Sequence, residues 1–278
     1  MSKSEADHVL SIPYITPVMT CYTLVMLEAK SITKTYGKDE SAFTALYKVS
    51  LHIPEGTTVA VVGKSGSGKS TLMHIMSGLD HPTEGMVLVD GKSLQAMKQR
   101  EMDAFRSQKM SFIFQAFFVE ANQTCYQNVM LPLEIAKVGR RDRKKHVLEA
   151  LAAVGLEDKV NVLAGNLSGG QKQRLAIARA IVNKPKLIFA DEPTGNLDST
   201  TGDIIIKLLF GLNRKLGCTL VIVTHDPELA ERCKIQVHMK DGEISQTSGL
   251  DEAKVKAKPK GKGKKTAKMT PKRKGGKK

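Results

Sequence analysis

Short apolar segments alternate with longer amphipathic segments over most of the chain, from residue 26 to about residue 247. Three segments are almost continuously apolar and are bounded by polar residues, at 57–63, 186–193 and 218–226. Runs of this length and composition predict strands that are buried on both faces of a parallel sheet. Residues 234–244 predict a hairpin that turns at Asp241 and Gly242.

The segments between the predicted strands have helical character. Residues 69–79 and most of the stretch from 128 to about 181 predict helices. Within that stretch, residues 141–156 predict one amphipathic helix that ends at Gly155, since glycine commonly terminates helices. Strands that alternate with helices in this way predict an α/β fold.

The N-terminal segment falls outside this alternation. Residues 9–27 are uncharged over nineteen positions, a length that could span a bilayer, but two prolines and several Ser, Thr and Cys residues disfavour a spanning helix. The segment also lacks the basic start and clean cleavage site of a signal peptide. Because Met26 opens the first strand, we expect residues 1–25 to be an extension outside the fold or the product of an early start codon. A membrane-surface contact is the alternative.

The positive charge is concentrated at the C-terminus. Residues 253–278 hold 13 of the 43 Lys and Arg residues and no acidic residue, which leaves 30 basic against 28 acidic residues elsewhere. The tail therefore carries 13 of the 15 net positive charges, and the rest of the chain is nearly neutral. Like charges with Gly and Pro predict disorder for residues 248–278. The tail has three alternatives: it binds anionic lipid, it binds nucleic acid non-specifically, or it is simply solvated. The lack of aromatic residues in the tail argues against specific nucleic-acid binding.

The cysteines do not form a recognisable framework. None of Cys21, Cys125, Cys218 and Cys233 is spaced as C-x-x-C, and no His cluster accompanies them. We therefore expect reduced thiols rather than disulfides or a zinc site.

A glycine-rich loop between a predicted strand and a predicted helix matches G-x-x-x-x-G-K-[ST], the P-loop pattern. Glycines let successive N–H groups point inward around a polyphosphate, and the helix adds its positive N-terminus. In such loops Lys69 reaches the β- and γ-phosphates and the Ser70 hydroxyl takes Mg²⁺. A loop without a ligand is the alternative. The predicted ATP-binding residues here are Gly63, Lys64, Ser65, Gly66, Ser67, Gly68, Lys69, Ser70 and Thr71.

Polar residues follow two other predicted strands. Asp191 and Glu192 end the run at 186–193, where a P-loop ATPase needs one carboxylate for Mg²⁺ and one to polarise the attacking water. Asp191 is the candidate metal ligand and Glu192 the candidate catalytic base. His225 follows the run at 218–226 and is a candidate γ-phosphate contact. Taken alone, the two acids could be surface residues and the histidine a structural one.

A second turn that resembles a phosphate-binding loop lies about a hundred residues after the P-loop. Residues 167–174 read LSGGQKQR, a Gly-rich turn that opens a helix and so suits an anion. This turn carries no lysine at the position that Lys69 occupies in the P-loop. The predicted anion-binding residues of the turn are Ser168, Gly169, Gly170 and Gln171.

These motifs, in this order along the chain, resemble the nucleotide-binding subunit of an ATP-binding cassette (ABC) transporter. The resemblance covers about residues 26–247, which it implies to be one ATPase domain. It implies a P-loop (RecA-like) core with an N-terminal antiparallel β subdomain. It further implies an inserted α-helical subdomain, at about 116–181, that carries the LSGGQ signature turn.

The resemblance also assigns roles to single residues. It implies that Tyr36 stacks on adenine and that Gln115 senses Mg²⁺ and water as a metal ligand. It implies that Asp198 is the acid of the loop before the next helix, in contact with the nucleotide site, and that His225 is the switch histidine, catalytic together with Glu192. In the family, the signature turn of one subunit binds the γ-phosphate held in the cradle of the other subunit.

The resemblance therefore implies a dimer of two copies with ATP between them, and a separate membrane permease as a further partner. It places the chain in the cytoplasm, on the inner face of the cell membrane. Residues 128–136 and 190–202 are similar to the branch of lipoprotein-releasing, macrolide- and antimicrobial-peptide-exporting and cell-division cassettes. The signature turn lacks a preceding proline, and residues 117–129 are more polar than that branch. The alternative function is a cassette ATPase without transport, of the cell-division or soluble-assembly type.

Overall fold

The structure is a computed structural model that describes residues 24–249. The predictions for residues 1–23 and 250–278, namely the N-terminal extension and the basic tail, lie outside the described residues. Among residues 24–249, no helix is both long and apolar enough to cross a membrane.

The described part contains ten strands. They are β1 (Val25–Tyr36), β2 (Phe43–Pro54), β3 (Thr58–Val62), β4 (Glu84–Val89), β5 (Lys92–Ser93), β6 (Met110–Ile113), β7 (Leu187–Asp191), β8 (Thr219–Thr224), β9 (Ile235–Lys240) and β10 (Glu243–Ser248). The strands predicted at 57–63, 186–193 and 218–226 are β3, β7 and β8, and the predicted hairpin is formed by β9 and β10.

The strands form two sheets. One is antiparallel, in the order β2-β1-β4-β5. The other has the order β10-β9-β3-β8-β7-β6, and every pairing in it is parallel except the β9–β10 hairpin. The parallel strands therefore all end at the same edge of the sheet, and this edge carries the P-loop, Asp191, Glu192 and His225.

The described helices are α1 (Lys69–Met76), α2 (Gln99–Lys109), α3 (Cys125–Ile135), α4 (Arg140–Ala153), α5 (Gly169–Ile181), α6 (Ser199–Leu216) and α7 (Pro227–Glu231). The helical stretch predicted at 128–181 is thus three helices, with a short turn between α3 and α4 and a longer connection at 154–168, which contains two 3-10 turns, between α4 and α5. The predicted helix at 141–156 is α4, which begins at Arg140 and ends at Ala153. Gly155 lies just beyond it with φ +67°, a left-handed conformation that glycine adopts without strain.

The parallel sheet separates two hydrophobic cores, because successive side chains of a strand point to opposite faces. In β3, Val59 and Val61 pack with the antiparallel sheet and α1, whereas Ala60 and Val62 pack with helices α3 to α6. All five residues of β3 are buried. Both faces of the strand are covered, and this explains why its sequence is continuously apolar rather than alternating.

Three cysteines lie within the described residues, and all three are unpaired and buried. Burial raises the pKa of the Cys218 thiol to about 11 and that of the Cys233 thiol to about 12. Burial also raises the pKa of the Cys125 thiol. These thiols are therefore protonated at neutral pH.

Candidate functional site

The P-loop connects the end of β3 to the start of α1. Gly68 caps α1 with φ +97°, and a Cβ atom at that position would lie 2.7 Å from the Ala45 carbonyl oxygen of β2. The conformation and the contact both require glycine. The close approach of β2 presses the loop into a tight curve above the helix N-terminus, where N–H groups are unpaired and anions are stabilised.

Lys69 lies within this curve. Its Nζ atom donates hydrogen bonds to the carbonyl oxygens of Gly63 at 2.8 Å and Lys64 at 2.9 Å. The ammonium group is thus held inside the loop, next to a cleft of about 710 Å³. Ser65, Gly66, Gly68, Ser70 and Thr71 also line the cleft. A cradle of backbone N–H groups with one fixed cation suits a polyphosphate.

Two adjacent carboxylates face the same cleft from the end of β7. Burial raises the pKa of the Asp191 carboxyl above its usual value, and the negative charge of Glu192 raises it further. Positive charge at Lys69 and His74 opposes this rise. Asp191 is therefore a half-buried acid whose ionised form lacks sufficient neutralising charge, at the place where the sequence predicted a metal ligand.

Glu192 is fixed by contacts with the neighbouring strand β8. Its Oε1 lies 2.8 Å from His225 Nδ1, and its Oε2 accepts a hydrogen bond from Thr224 Oγ1 at 3.5 Å. The backbone N–H of Glu192 donates to the Val223 carbonyl at 2.9 Å. The His225 side chain is 76% exposed and lines the cleft. The structure therefore brings together Glu192 and His225, the two residues predicted to be catalytic.

Tyr36 ends β1 beside the P-loop and is held by Asp80. The phenol donates to Asp80 Oδ2 at 2.8 Å, and Lys34 Nζ lies 4.7 Å from the centre of the Tyr36 ring while bonding Asp80 Oδ1 at 2.7 Å. Burial alone would raise the pKa of Asp80, but hydrogen bonds from Lys34 and Tyr36 bring it below its usual value. Lys34 covers one face of the ring.

A second aromatic residue, Phe43, is the cross-strand partner of Tyr36 and lines the cleft. Its side chain is 62% exposed, so its ring is free to contact a bound ligand. Sequence analysis did not single out Phe43, because its pairing with Tyr36 is visible only in the folded sheet.

Gln115, predicted to be a metal ligand, is not among the residues that line the cleft. Its Nε2 donates to Asn196 Oδ1 at 3.3 Å, and Asn196 Nδ2 donates back to the Gln115 carbonyl at 2.9 Å. A Cβ atom on Gly195 would lie 2.8 Å from Gln115 Nε2, so the glutamine packs on the turn that follows Glu192. In this structure the Gln115 amide contacts that turn, and its role as a metal ligand stays a prediction.

The signature turn opens α5 away from the P-loop cleft. Ser168 caps the helix in a capping box: its Oγ accepts from the Gln171 N–H at 3.3 Å, and its own N–H donates to Gln171 Oε1 at 3.0 Å. Gly170 lies against Thr201 of α6, where a Cβ atom would come within 2.5 Å of Thr201 Cγ2. None of Ser168, Gly169, Gly170 and Gln171 lines the cleft that contains Lys69.

Asp198 caps α6, and its Oδ1 accepts from the Thr201 N–H at 2.9 Å. That backbone hydrogen bond lowers the pKa of Asp198. The predicted site residues thus form two groups in one chain, a cradle with its acids and histidine, and a signature turn packed on the start of α6.

Comparison with known proteins identifies the family of this chain. The family described as ABC transporter matches residues 46–195. The lipoprotein-releasing system ATP-binding protein LolD of Syntrophotalea carbinolica is 44% identical over 220 residues, which is 79% of this chain and 97% of that protein. An uncharacterized ABC transporter ATP-binding protein of Methanocaldococcus jannaschii is 45% identical over 219 residues, with the same coverage of 79% and 97%.

Solved structures are similar as well. The dimeric ATP-binding cassette MJ0796 in a post-hydrolysis state with ADP and Pi superposes with a TM-score of 0.73 at 42% identity, covering 80% of this chain and 97% of that chain. CbiO1 of Clostridium perfringens, part of the ABC transporter complex cbiONQ, has a TM-score of 0.74 at 28% identity, covering 82% and 90%. The chain therefore belongs to the ABC transporter family, as an ATP-binding and ATP-hydrolysing subunit.

Proposed function

We propose that the cleft beside Lys69 binds ATP with its phosphates in the P-loop and its base at the aromatic end of the first sheet. The observation that carries this proposal is the convergence of Lys69, Asp191, Glu192 and His225 on one cleft. Tyr36 offers adenine the ring face that Lys34 does not cover, and Phe43 adds apolar surface beside it.

Mg²⁺ fits the donors present at the base of this cleft. Ser70 offers a hydroxyl oxygen and Asp191 a carboxylate, the hard oxygen ligands that Mg²⁺ takes. Among the described residues no cluster of three or more His, Cys, Asp or Glu side chains could enclose a metal. This suits Mg²⁺, which is commonly held by one or two protein oxygens together with substrate phosphates and waters. The ion would supply positive charge for the phosphate oxygens and for Asp191, whose pKa burial raises.

Glu192 acts as the general base in this proposal. Its carboxylate accepts a proton from the attacking water, and His225 at 2.8 Å holds the carboxylate in place through Oε1. Lys69 places positive charge beside the γ-phosphate as negative charge moves to the leaving oxygen. Removal of the base by Glu192→Gln, or of the ammonium by Lys69→Ala, should reduce ATP hydrolysis by at least about 100-fold.

The complete site requires a second copy of this chain. The signature turn lies outside its own cleft, yet its glycines and helix start suit an anion. A two-fold arrangement places the Ser168 turn of each copy over the cradle of the other, since isologous contacts close two identical sites. Glu192→Gln protein with ATP should then run as a dimer in light scattering. A monomer under these conditions would contradict the proposal.

We propose that ATP hydrolysis drives export or release of a substrate through a separate membrane permease. The identity with a lipoprotein-releasing ATP-binding protein favours this over the alternative, a cassette ATPase without transport. Co-purification of the tagged chain from detergent-solubilised membranes tests it. Recovery of a polytopic membrane protein in stoichiometric amount supports a transporter and places the chain at the inner face of the membrane, whereas a complex with soluble proteins alone contradicts it.

The basic tail is proposed to bind anionic lipid beside the permease. Thirteen positive charges within residues 253–278 favour any polyanionic surface. Vesicles with anionic lipid should sediment the full chain at low salt and fail to sediment a chain ending at residue 252. Equal sedimentation of both proteins removes the lipid proposal.

A further inference from the structure

Gln173 is a fully buried amide on the second turn of α5. Its Nε2 donates a hydrogen bond to the Pro193 carbonyl oxygen at 2.6 Å. Pro193 follows Glu192 directly, so a side chain from the signature helix is bonded to the residue next to the proposed general base. The two residues lie on different elements, α5 and the turn after β7.

The buried Gln173 amide lowers the stability of the folded protein. The Gln173 Oε1 atom is buried and has no hydrogen-bond partner among the described residues. A buried polar atom without a partner is unfavourable, and a side chain such as methionine could fill similar space without it. A carbonyl oxygen can only accept, so the amide must direct Nε2 to Pro193 and leave Oε1 unpaired. Packing alone does not account for a glutamine here.

The backbone that Gln173 holds is itself strained. Glu192 has φ +44°, a conformation that costs free energy in a residue with a side chain. Its N–H is bonded to the Val223 carbonyl, and its own carbonyl accepts from the Gly195 N–H at 3.0 Å. Such a conformation persists where surrounding contacts fix it. The Gln173 bond adds a contact from α5 to Pro193, the residue that follows Glu192.

We propose that Gln173 is a positioning residue that fixes the Glu192 backbone and joins the signature helix to the catalytic carboxylate of the same chain. This inference rests on the proposed role of Glu192 as base. The bond does not touch the nucleotide cleft, since Gln173 is absent from its lining. Loss of the bond should therefore lower the turnover number kcat and leave ATP binding unchanged.

Gln173→Met removes the donor and keeps an apolar chain of similar length. Its kcat should fall at least about tenfold, because small displacements of a catalytic group cost large factors in rate. The dissociation constant for a fluorescent ATP analogue should stay within about twofold. Asn213→Leu is the matched control, since Asn213 is a buried amide that donates to the backbone carbonyls of Gly56 and Cys218 far from the cleft. It should lower the melting temperature without changing kcat of the folded protein.

Gln173→Glu separates positioning from packing. A carboxyl group keeps the shape of the amide but can donate to the Pro193 carbonyl only when protonated, and burial raises its pKa. The kcat of this variant relative to wild type should rise as pH falls from 8.5 to 6, while the ratio for Gln173→Met stays flat. Circular dichroism at each pH confirms that the variants are folded.

The outcomes are distinct. If Gln173→Met retains kcat within about twofold of wild type, or if its ATP affinity falls in parallel with kcat, the positioning role is wrong. Failure of the proposed function would appear instead in the Glu192→Gln single variant, as hydrolysis close to the wild-type rate. A Gln173→Met, Glu192→Gln protein that no longer dimerises with ATP would assign the effect to the signature turn and would also overturn the inference.

Discussion

The Tyr36 phenol donates a hydrogen bond to Asp80 Oδ2 at 2.8 Å, although the two residues are 44 positions apart in the chain. Asp80 lies just after α1, the helix that begins in the P-loop. The same carboxylate also accepts from Lys34, whose ammonium lies over the Tyr36 ring. One acid therefore links the orientation of the proposed adenine-stacking ring to the helix that holds the phosphates.

Asp80→Ala should weaken ATP binding because the Tyr36 ring loses its anchor and Lys34 loses its partner. We expect a three- to tenfold rise in the ATP dissociation constant, about the value of one aromatic contact. The value of kcat at saturating ATP should change less. Titration with a fluorescent ATP analogue measures the first quantity. Asp103→Asn, an exposed acid on α2, is the control and should bind ATP as wild type does. Wild-type affinity in Asp80→Ala would show that Tyr36 does not depend on this bond.

Asp191→Asn should stabilise the nucleotide-free protein while abolishing hydrolysis. Burial and the charge of Glu192 raise the pKa of Asp191 in the folded state. The stabilisation that Asp191 contributes is therefore fully present below the pKa that its carboxyl has in the unfolded protein. It is lost as pH rises through the pKa that the carboxyl has in the folded protein. At pH 7.5 in EDTA, the variant should melt a few degrees above wild type. The difference should shrink as pH approaches 4.

Asp198→Ala provides the control of opposite sign. The pKa of Asp198 is lowered by its bond to the Thr201 N–H, so its contribution is present above the unfolded pKa and is lost as pH falls through the folded pKa. This variant should melt below wild type at pH 7.5. If both variants shift the melting temperature in the same direction, charge is not the cause of the Asp191 effect.

The central strands and the cradle could be predicted from sequence because each depends on local pattern. A strand buried on both faces, such as β3, is continuously apolar, and strand ends in a parallel sheet share one edge. The pattern of apolar runs is therefore enough to place Asp191 and His225 beside the P-loop. The bonds from Tyr36 to Asp80 and from Gln173 to Pro193 could not be predicted, since they depend on how separate elements pack.

The contacts of Gln115 also could not be predicted from the sequence. Its position at the end of β6 is readable from the apolar run before it, and the resemblance implies a metal ligand. In the structure its amide is paired with Asn196, 81 positions later, in a turn with no hydrophobic pattern. The contact between Gln115 and Asn196 is visible only in the folded chain, here without nucleotide.

Cys218 and Cys233 should resist alkylation in the folded protein. Burial raises the pKa of these thiols to about 11 and about 12, and the thiolate is the reactive form. At pH 7.5, labelling by a maleimide should be at least about 100-fold slower than in urea, where opening no longer limits access. Peptide mass spectrometry assigns the label to each residue. Comparable rates with and without urea would show that the regions around these cysteines open readily.

Gly170→Ala should reduce ATP hydrolysis through a clash within its own chain. The added Cβ would lie 2.5 Å from Thr201 Cγ2, and a β-branched side chain on α6 has little freedom to move aside. The signature turn must then shift, and a turn displaced from the partner's nucleotide should lose at least about tenfold in rate. Steady-state hydrolysis at protein concentrations that saturate dimer formation measures this loss.

Thr201→Ser tests the cause, because it removes the Cγ2 atom and keeps the backbone N–H that Asp198 binds. Alone it should leave hydrolysis near wild type. Combined with Gly170→Ala it should restore most of the lost rate, which gives a large coupling energy in the double-mutant cycle. If the double variant is as slow as Gly170→Ala alone, the methyl group at position 170 acts directly on the partner's nucleotide site. Rescue therefore shows that α6 fixes the position of the turn. Without rescue, residue 170 must lack a side chain so that its backbone can approach the partner's phosphate.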